Sequence, residues 1–443
     1  MADTDLTQAP LTHARVLRIA LPIVLSNATV PIIGAVDTGV IGQMGSAAAI
    51  GAVGLGAVIL ATIYWVFGFL RMGTTGLTGQ AIGAGDQAEM VAHLTRAVMI
   101  GLAAGALIIA VQAPLIWAAF RTAPASAEVE ALARQYLSIR IWGAPATIAV
   151  FGLNGWLIAR ERTRAVFVIQ VWITGVNAAL DLWFVLGLGW GIPGVAVASL
   201  IAEVSGLGLA LWFCRDALIT PAWRDWARVT NRAMLGRMVA VNGNIALRTI
   251  CLMAVFVSFL FLGAGFGDVT LAANHILLQF IDITAYALDG FAFAAEALVA
   301  QAVGARNIAA LRRSIWLAAV WSGVGAMLLA LTFAVLGGPL VDVMAKVPAV
   351  QAEVRAFLPY MVAVPLLGVA AWVLDGVFIG ATRGADMRNM TALSAALYFA
   401  SLPILLPAFG NHGLWIALVG SFVLRGITLG LRYPALERSL AAA

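Results

Sequence analysis

The chain has 443 residues, of which 62% are hydrophobic and 11% charged, with a formal net charge of +5. An ordinary soluble domain carries roughly 25% charged residues, so this composition excludes one and places the chain in a bilayer. The positive excess is informative through its distribution between connections rather than through its total.

Twelve apolar runs are long enough for the roughly 20 residues that a spanning helix needs: 15–40, 48–72, 93–119, 136–158, 165–187, 191–213, 236–262, 269–300, 314–343, 356–380, 389–408 and 412–435. They predict an all-α membrane protein of twelve transmembrane helices. The opening "MADTDLTQAP" is acidic, and the first run is too long and too polar for a cleaved signal peptide, so that helix is expected to remain. Within it, "PIIGAVDTGVIGQ" holds Asp37, the only charge between Arg18 and Arg71. An ionised carboxylate inside the membrane costs about 2.5 to 3.5 kcal/mol even on the lenient insertion scale. Asp37 is therefore expected to be neutral, paired or hydrated. Pro22 lacks an N–H and lies one or two turns into the same helix, where it permits a bend below Asp37.

After the second run, "GAGD" (Gly83 to Asp86) has the form of an intramembrane aspartyl protease motif, but no tyrosine precedes an aspartate to supply its partner. The stretch reads better as a helix end with a glycine stop. In the fifth run Asn177 and Asp181 are four residues apart, hence one turn from each other on a single face. Asp37 lies 19 residues beyond Arg18 and Asp181 lies 17 beyond Arg164, about 25 to 30 Å at 1.5 Å per residue. Both acids thus reach the same outer depth. Two carboxylates close together in a dry site disfavour double ionisation, which suits a reversible ion carrier. In the eighth run Asp282, Asp289 and Glu296 are spaced by seven and line one stripe. With Asp375 they are read as lining a cavity for cation or substrate, the alternative being bracing between helices or pairing with Arg248 and Arg425.

Arginines concentrate in the even connections: Arg160, Arg162 and Arg164; Arg215, Arg224, Arg228, Arg232 and Arg237; then Arg306, Arg312, Arg313, Arg383 and Arg388. The odd connections carry only Arg121, Arg134, Lys346 and Arg355. Positive-inside counting puts both termini in the cytoplasm of a multi-pass inner-membrane protein.

The sequence also repeats itself. "GWLIARERTRA" from Gly155 and "GVFIGATRGAD" from Gly376 share Gly, Ile and Arg at an offset of 221 residues. "LTGQAIGAGD" from Leu77 and "LVAQAVGARN" from Leu298 share five positions at the same offset, and "GIPGVAVA" matches "GNHGLWIA" at an offset of 219. The expected organisation is a six-helix lobe over 1–214, a cytoplasmic linker over 215–237 and a second six-helix lobe over 238–443. An even number of spans per half makes the lobes parallel, and transporters so built place substrate between them. Across the duplication Asn177, Asp181 and Asn154 fall on Tyr398, Leu402 and Asp375, so the halves differ in chemistry.

Several activities are disfavoured. The only lysine, Lys346, has no P-loop around it, so no nucleotide-driven pump is indicated. Cys214 and Cys251 give no disulfide framework, and the four histidines show no metal spacing. No cofactor, no metal, no nucleic acid partner and no enzymatic chemistry are expected.

The stretches "LPIVLSNATVPIIGAVDTGVIGQMGS", "FLRMGTTGLTGQAIGA", "AYALDGFAFAAEALVAQAVGAR" and "LDGVFIGATRGADMRNM" resemble the DinF-like branch of the MATE (multidrug and toxic compound extrusion) transporters over nearly the whole chain. The resemblance implies a monomeric antiporter in the lipid bilayer that exports small organic compounds, cationic or amphipathic, by alternating access. The exchanged ion would be a proton, or else sodium. It also implies a cation site: the helix-1 acid falls on Asp37, the helix-4 asparagine on Asn154, the helix-5 pair on Asn177 and Asp181, and the helix-6 hydroxyl, commonly threonine, on Ser199. The family's bending proline falls on Pro22. A rival reading is a flippase for lipid-linked precursors, whose cavity would need cationic groups for pyrophosphate where this chain offers mostly acids. A non-transporting membrane scaffold would have no reason to bury acids in both halves.

Overall fold

The computed structural model describes residues 10–43, 45–122 and 125–441; most of the acidic N-terminal stretch lies outside them. Twelve helices are long and apolar enough to cross a membrane: α1 His13–Gly42, α2 Ala47–Gly83, α3 Gln87–Ala110, α4 Ala127–Ala159, α5 Thr163–Gly187, α6 Ile192–Phe213, α7 Arg232–Ala264, α8 Asp268–Gly304, α9 Ile308–Met344, α10 Pro348–Gly380, α11 Gly384–Phe409 and α12 Asn411–Ala441. Each coincides with one predicted run. The largest departure at a helix start is in α4, which begins nine residues before its apolar run. Its first stretch, "AEVEALARQYLSIR", is polar, yet Ser126 caps it by accepting from the Val129 N–H at 3.3 Å, and Glu130 pairs with Arg134 at 2.6 Å one turn on. Good helix formers with a cap and an i, i+4 ion pair extend a helix without apolar periodicity.

The helix ends follow local chemistry. Asp86 is an N-cap, its Oδ1 accepting from the Glu89 N–H at 2.9 Å, and Gly85 before it is left-handed at φ +75°. The motif at Gly83 to Asp86 is thus a stop and a start, as the sequence indicates. The left-handed residues also reveal the duplication. Gly85 matches Arg306 (φ +52°) and Glu161 (φ +58°) matches Thr382 (φ +53°), both 221 residues apart, while Gly191 (φ +61°) matches Gly410 (φ +55°) at 219. The turns of the two halves share a backbone conformation even where their side chains differ.

The chain divides into two compact units. One comprises Leu25–Thr78 and Asp86–Leu235; the other comprises the described residues up to Val24, Gly79–Gly85 and Gly236–Ala443. This division departs from boundaries at 214 and 238 for identifiable reasons. The connection through residue 235 is held by Arg96 of α3, which donates to the carbonyls of Val229 (2.9 Å) and Arg228 (2.5 Å) and pairs with Glu89 at 2.5 Å. The end of α2 belongs with the second-half helices because glycines let backbones touch there: a Cβ on Gly83 would stand 2.0 Å from the Gln301 oxygen, and one on Gly304 would stand 2.0 Å from the Gln80 oxygen. Within α1 the division falls between Val24 and Leu25, two residues past Pro22.

Asp216 fastens the connection to the α4–α5 turn, 2.5 Å from Arg160 Nη1 and 2.8 Å from Arg162 Nη2. Burial alone would raise its pKa, but hydrogen bonds from Arg162 and Arg160 outweigh that and hold its carboxyl below the usual carboxylate range. A depressed folded value means that its contribution is complete above the unfolded value of about 3.9 and is lost as pH falls through the folded value. Asp216→Asn is expected to lower stability by about 1 kcal/mol at neutral pH, discounted because the carboxylate is partly exposed. The difference from wild type should vanish in strongly acid unfolding measurements.

Candidate cation site

α1, α5 and α6 bring Asp37, Asn177, Asp181 and Ser199 together within one unit. Asp37 is 4% exposed and Asp181 is fully buried. Their carboxyls are in mutual contact, and Asn177 lies against both. The Asn177 side-chain N–H donates to Ser199 Oγ at 3.0 Å, so serine keeps the polar role that the resemblance gave to this position. Among the described residues, no group donates to Asp37 Oδ1, to either Asp181 oxygen, or to Asn177 Oδ1. Two carboxylates without donors repel each other, so a shared proton or a cation makes this contact favourable. Asp181 is the last α-helical residue before a π-helical turn, Leu182–Gly187, whose Phe184 stacks on Trp183 and Trp190. Such wide turns occur frequently at functional sites.

Asn154 is in α4 with its Oδ1 buried and accepting nothing, and the interactions joining the acids, Asn177 and Ser199 do not include it. Its depth explains this, since it lies only six residues from Arg160 at the helix end.

The structure adds groups that the sequence reading passed over. Arg140 acts electrostatically on both Asp37 and Asp181, its Nη1 is 2.8 Å from Glu203 Oε1 of α6, and its Nε donates to the Tyr136 hydroxyl at 3.3 Å. Glu203 fits because residue 143 is glycine: a Cβ there would stand 2.0 Å from Glu203 Oε2. Arg140, the only charged residue in its apolar run 136–158, had a usable signal that the sequence reading passed over, and its partner is 63 residues away. Glu203 had a usable signal, being the only acid in its apolar run.

In the second half the positions equivalent to Asp37, Asn177 and Asp181 are Ser258, Tyr398 and Leu402. Ser258 Oγ and the Tyr398 hydroxyl lie 3.4 Å apart. The same packing position is occupied by neutral groups. Asp375 is buried against Arg248, in direct contact, and Arg425 Nη2, at 3.6 Å. That is the pairing alternative raised for it above rather than an acid facing a cavity. Along α8 Asp282 is exposed, Asp289 half-buried and Glu296 only 1% exposed. The stripe descends from surface to core, and its acids do not share one environment.

Twelve spans in two halves with matching turns define a multi-pass helical membrane protein built by duplication. The chain belongs to the MatE family, whose model matches it twice, over residues 22–183 and 245–404. It is 38% identical to DNA damage-inducible protein F of Escherichia coli, across 93% of this chain and 90% of that protein. It is 30% identical to a probable multidrug resistance protein NorM of Bradyrhizobium diazoefficiens, across 96% and 93%. The fold matches the crystal structure of the Vibrio cholerae MATE transporter VcmN in its bent form, with a TM-score of 0.87 at 20% identity and 97% coverage of each chain. Of these, VcmN is named as a transporter, and none of the names lends the flippase reading support.

Proposed function

We propose that the protein is a secondary antiporter that exports small organic compounds, cationic or amphipathic, in exchange for protons, with sodium as the alternative coupling ion. The observation that carries this reading is the contact between Asp37 and Asp181, buried with Asn177 and Ser199 and without protein donors to most of its oxygens. A proton or sodium ion entering between the carboxyls neutralises one of their two charges; its departure restores that charge within electrostatic reach of Arg140, which is itself paired with Glu203. Pro22, beside the division of α1, would let the two parts of that helix move separately. Arginine counting supports an inner-membrane location with both termini cytoplasmic. The ligand set of two carboxylates, an amide oxygen and a hydroxyl also suits sodium, so the ion is decided by experiment. Proteoliposomes should accumulate a cationic probe when an outward-directed proton gradient is imposed at equal sodium, and should not when the gradient is reversed. Accumulation that follows only a sodium gradient would reassign the ion, and none with either gradient would refute antiport.

A further inference from the structure

Three arginines from three places in the second half converge on an open cavity of about 280 Å³: Arg237 near the start of α7, Arg306 in the α8–α9 turn and Arg383 in the α10–α11 turn. An adjoining cavity of about 350 Å³ shares Arg237 and Arg383 and adds Asn244 and Asp386. Asp386 is already neutralised, by Arg383 at 2.6 Å and Arg432 at 2.8 Å. The two linings together hold three arginines and one carboxylate.

Arg383 and Arg237 are held in place before any ligand arrives. Arg383 donates to Asp386 Oδ2 at 2.7 Å and to Ser439 Oγ at 3.2 Å. Arg237 donates to Gln80 Oε1 at 2.5 Å, and Gln80 in turn donates to the Gly380 carbonyl (3.1 Å) and Thr382 Oγ1 (3.0 Å). Guanidinium forks fixed on one edge lose little freedom on binding a planar or tetrahedral oxyanion.

Arg306 stands in the left-handed region at φ +52°, as Glu161 and Thr382 do at their turns, and its counterpart in the first half is Gly85, so the second half carries a guanidinium where the first has a residue without a side chain. In the first half Val16 stands for Arg237 and Gly85 for Arg306, so the cluster is reduced to Arg162, which pairs with Asp216 as its counterpart Arg383 pairs with Asp386.

The cavity lies where spanning helices end, beside Leu436 and Leu440 of the last turns of α12. Basic pockets between transmembrane helices at a membrane boundary suit phospholipid headgroups, and arginine forks match phosphate bidentately. We infer that the second half binds the phosphate of an anionic phospholipid headgroup between Arg237, Arg306 and Arg383.

The test is thermal unfolding of the purified full-length protein in neutral detergent at 0.15 M salt, a common physiological strength of about one 8 Å Debye length. Dioleoylphosphatidylglycerol, dioleoylphosphatidylcholine and inorganic phosphate are titrated separately. Phosphatidylglycerol should raise the midpoint saturably and phosphatidylcholine should not. Arg306→Gly, which installs the first half's own turn residue and so is expected to fold, should lose most of that shift, as should Arg237→Gln. Arg306→Lys should keep part of it. Arg121→Gln, on the opposite side by the parity of the spans, should keep all of it. An undiminished lipid shift in Arg306→Gly and Arg237→Gln, or an equal loss in Arg121→Gln, would overturn the site. If inorganic phosphate alone reproduces the shift and abolishes the lipid effect, a soluble phosphate is the ligand and the lipid assignment is wrong.

Discussion

Asp37→Asn is expected to yield a folded, membrane-inserted protein that exports nothing against a gradient. The amide keeps the volume of the carboxyl and can still meet Asp181 and Asn177, so packing at this buried position is preserved. What disappears is a charge that an ion can neutralise and leave behind. A proton gradient of one pH unit supplies about 1.4 kcal/mol, equivalent to about a tenfold accumulation ratio for one-for-one exchange with a monocation. Loss of that exchange should bring probe accumulation in proteoliposomes down to the level of empty vesicles, while melting temperature and expression stay near wild type. A mutant that still accumulates probe at the wild-type level would remove Asp37 from the ion path.

Gly304→Val should be nearly as damaging for a different reason. At this crossing the backbones of α2 and α8 touch, with space for a hydrogen and none for a methyl. Overpacking of this kind costs about 1 to 3 kcal/mol, which shifts any equilibrium that makes and breaks the contact by about 5- to 150-fold. If alternating access uses this contact, export falls by that range while the spans still insert. Export in proteoliposomes, measured beside the yield of inserted protein, checks this: wild-type export by well-inserted Gly304→Val would show that the crossing is not part of the cycle.

The spans were legible because a bilayer imposes a length and a composition on each helix, and all twelve runs carry that imprint. The pairing of Asn177 with Asp181 was legible from spacing, and the shared depth of Asp37 and Asp181 from distance to arginine. Contacts between helices leave no such mark. Arg140 and Glu203 meet through a slot made by Gly143, and nothing in the local pattern of either helix announces the other. Asn154 entered through family resemblance, and the groups that the structure joins around Asp37 and Asp181 do not include it. For Asp375 the sequence offered two readings, and only coordinates could place Arg248 and Arg425 around it. The division of α1 beside Pro22 and of α2 before Gly79 was likewise invisible, because it depends on which neighbours each part of a helix packs against.

The reciprocal crossing, Gly83 on Gln301 and Gly304 on Gln80, has the form in which two identical chains meet across a two-fold axis, each offering the other the same surface. Such a contact would serve two separate copies of one half as well as it serves one fused chain. A pair of identical copies, however, must carry an acid pair in both or in neither. Fusion lifts that restriction: one copy can keep Asp37, Asn177 and Asp181 while the other becomes Ser258, Tyr398 and Leu402. The acid pair, found in one half and not at the equivalent positions of the other, is therefore an asymmetry that identical copies could not carry, and it leaves the other half free to acquire a separate task.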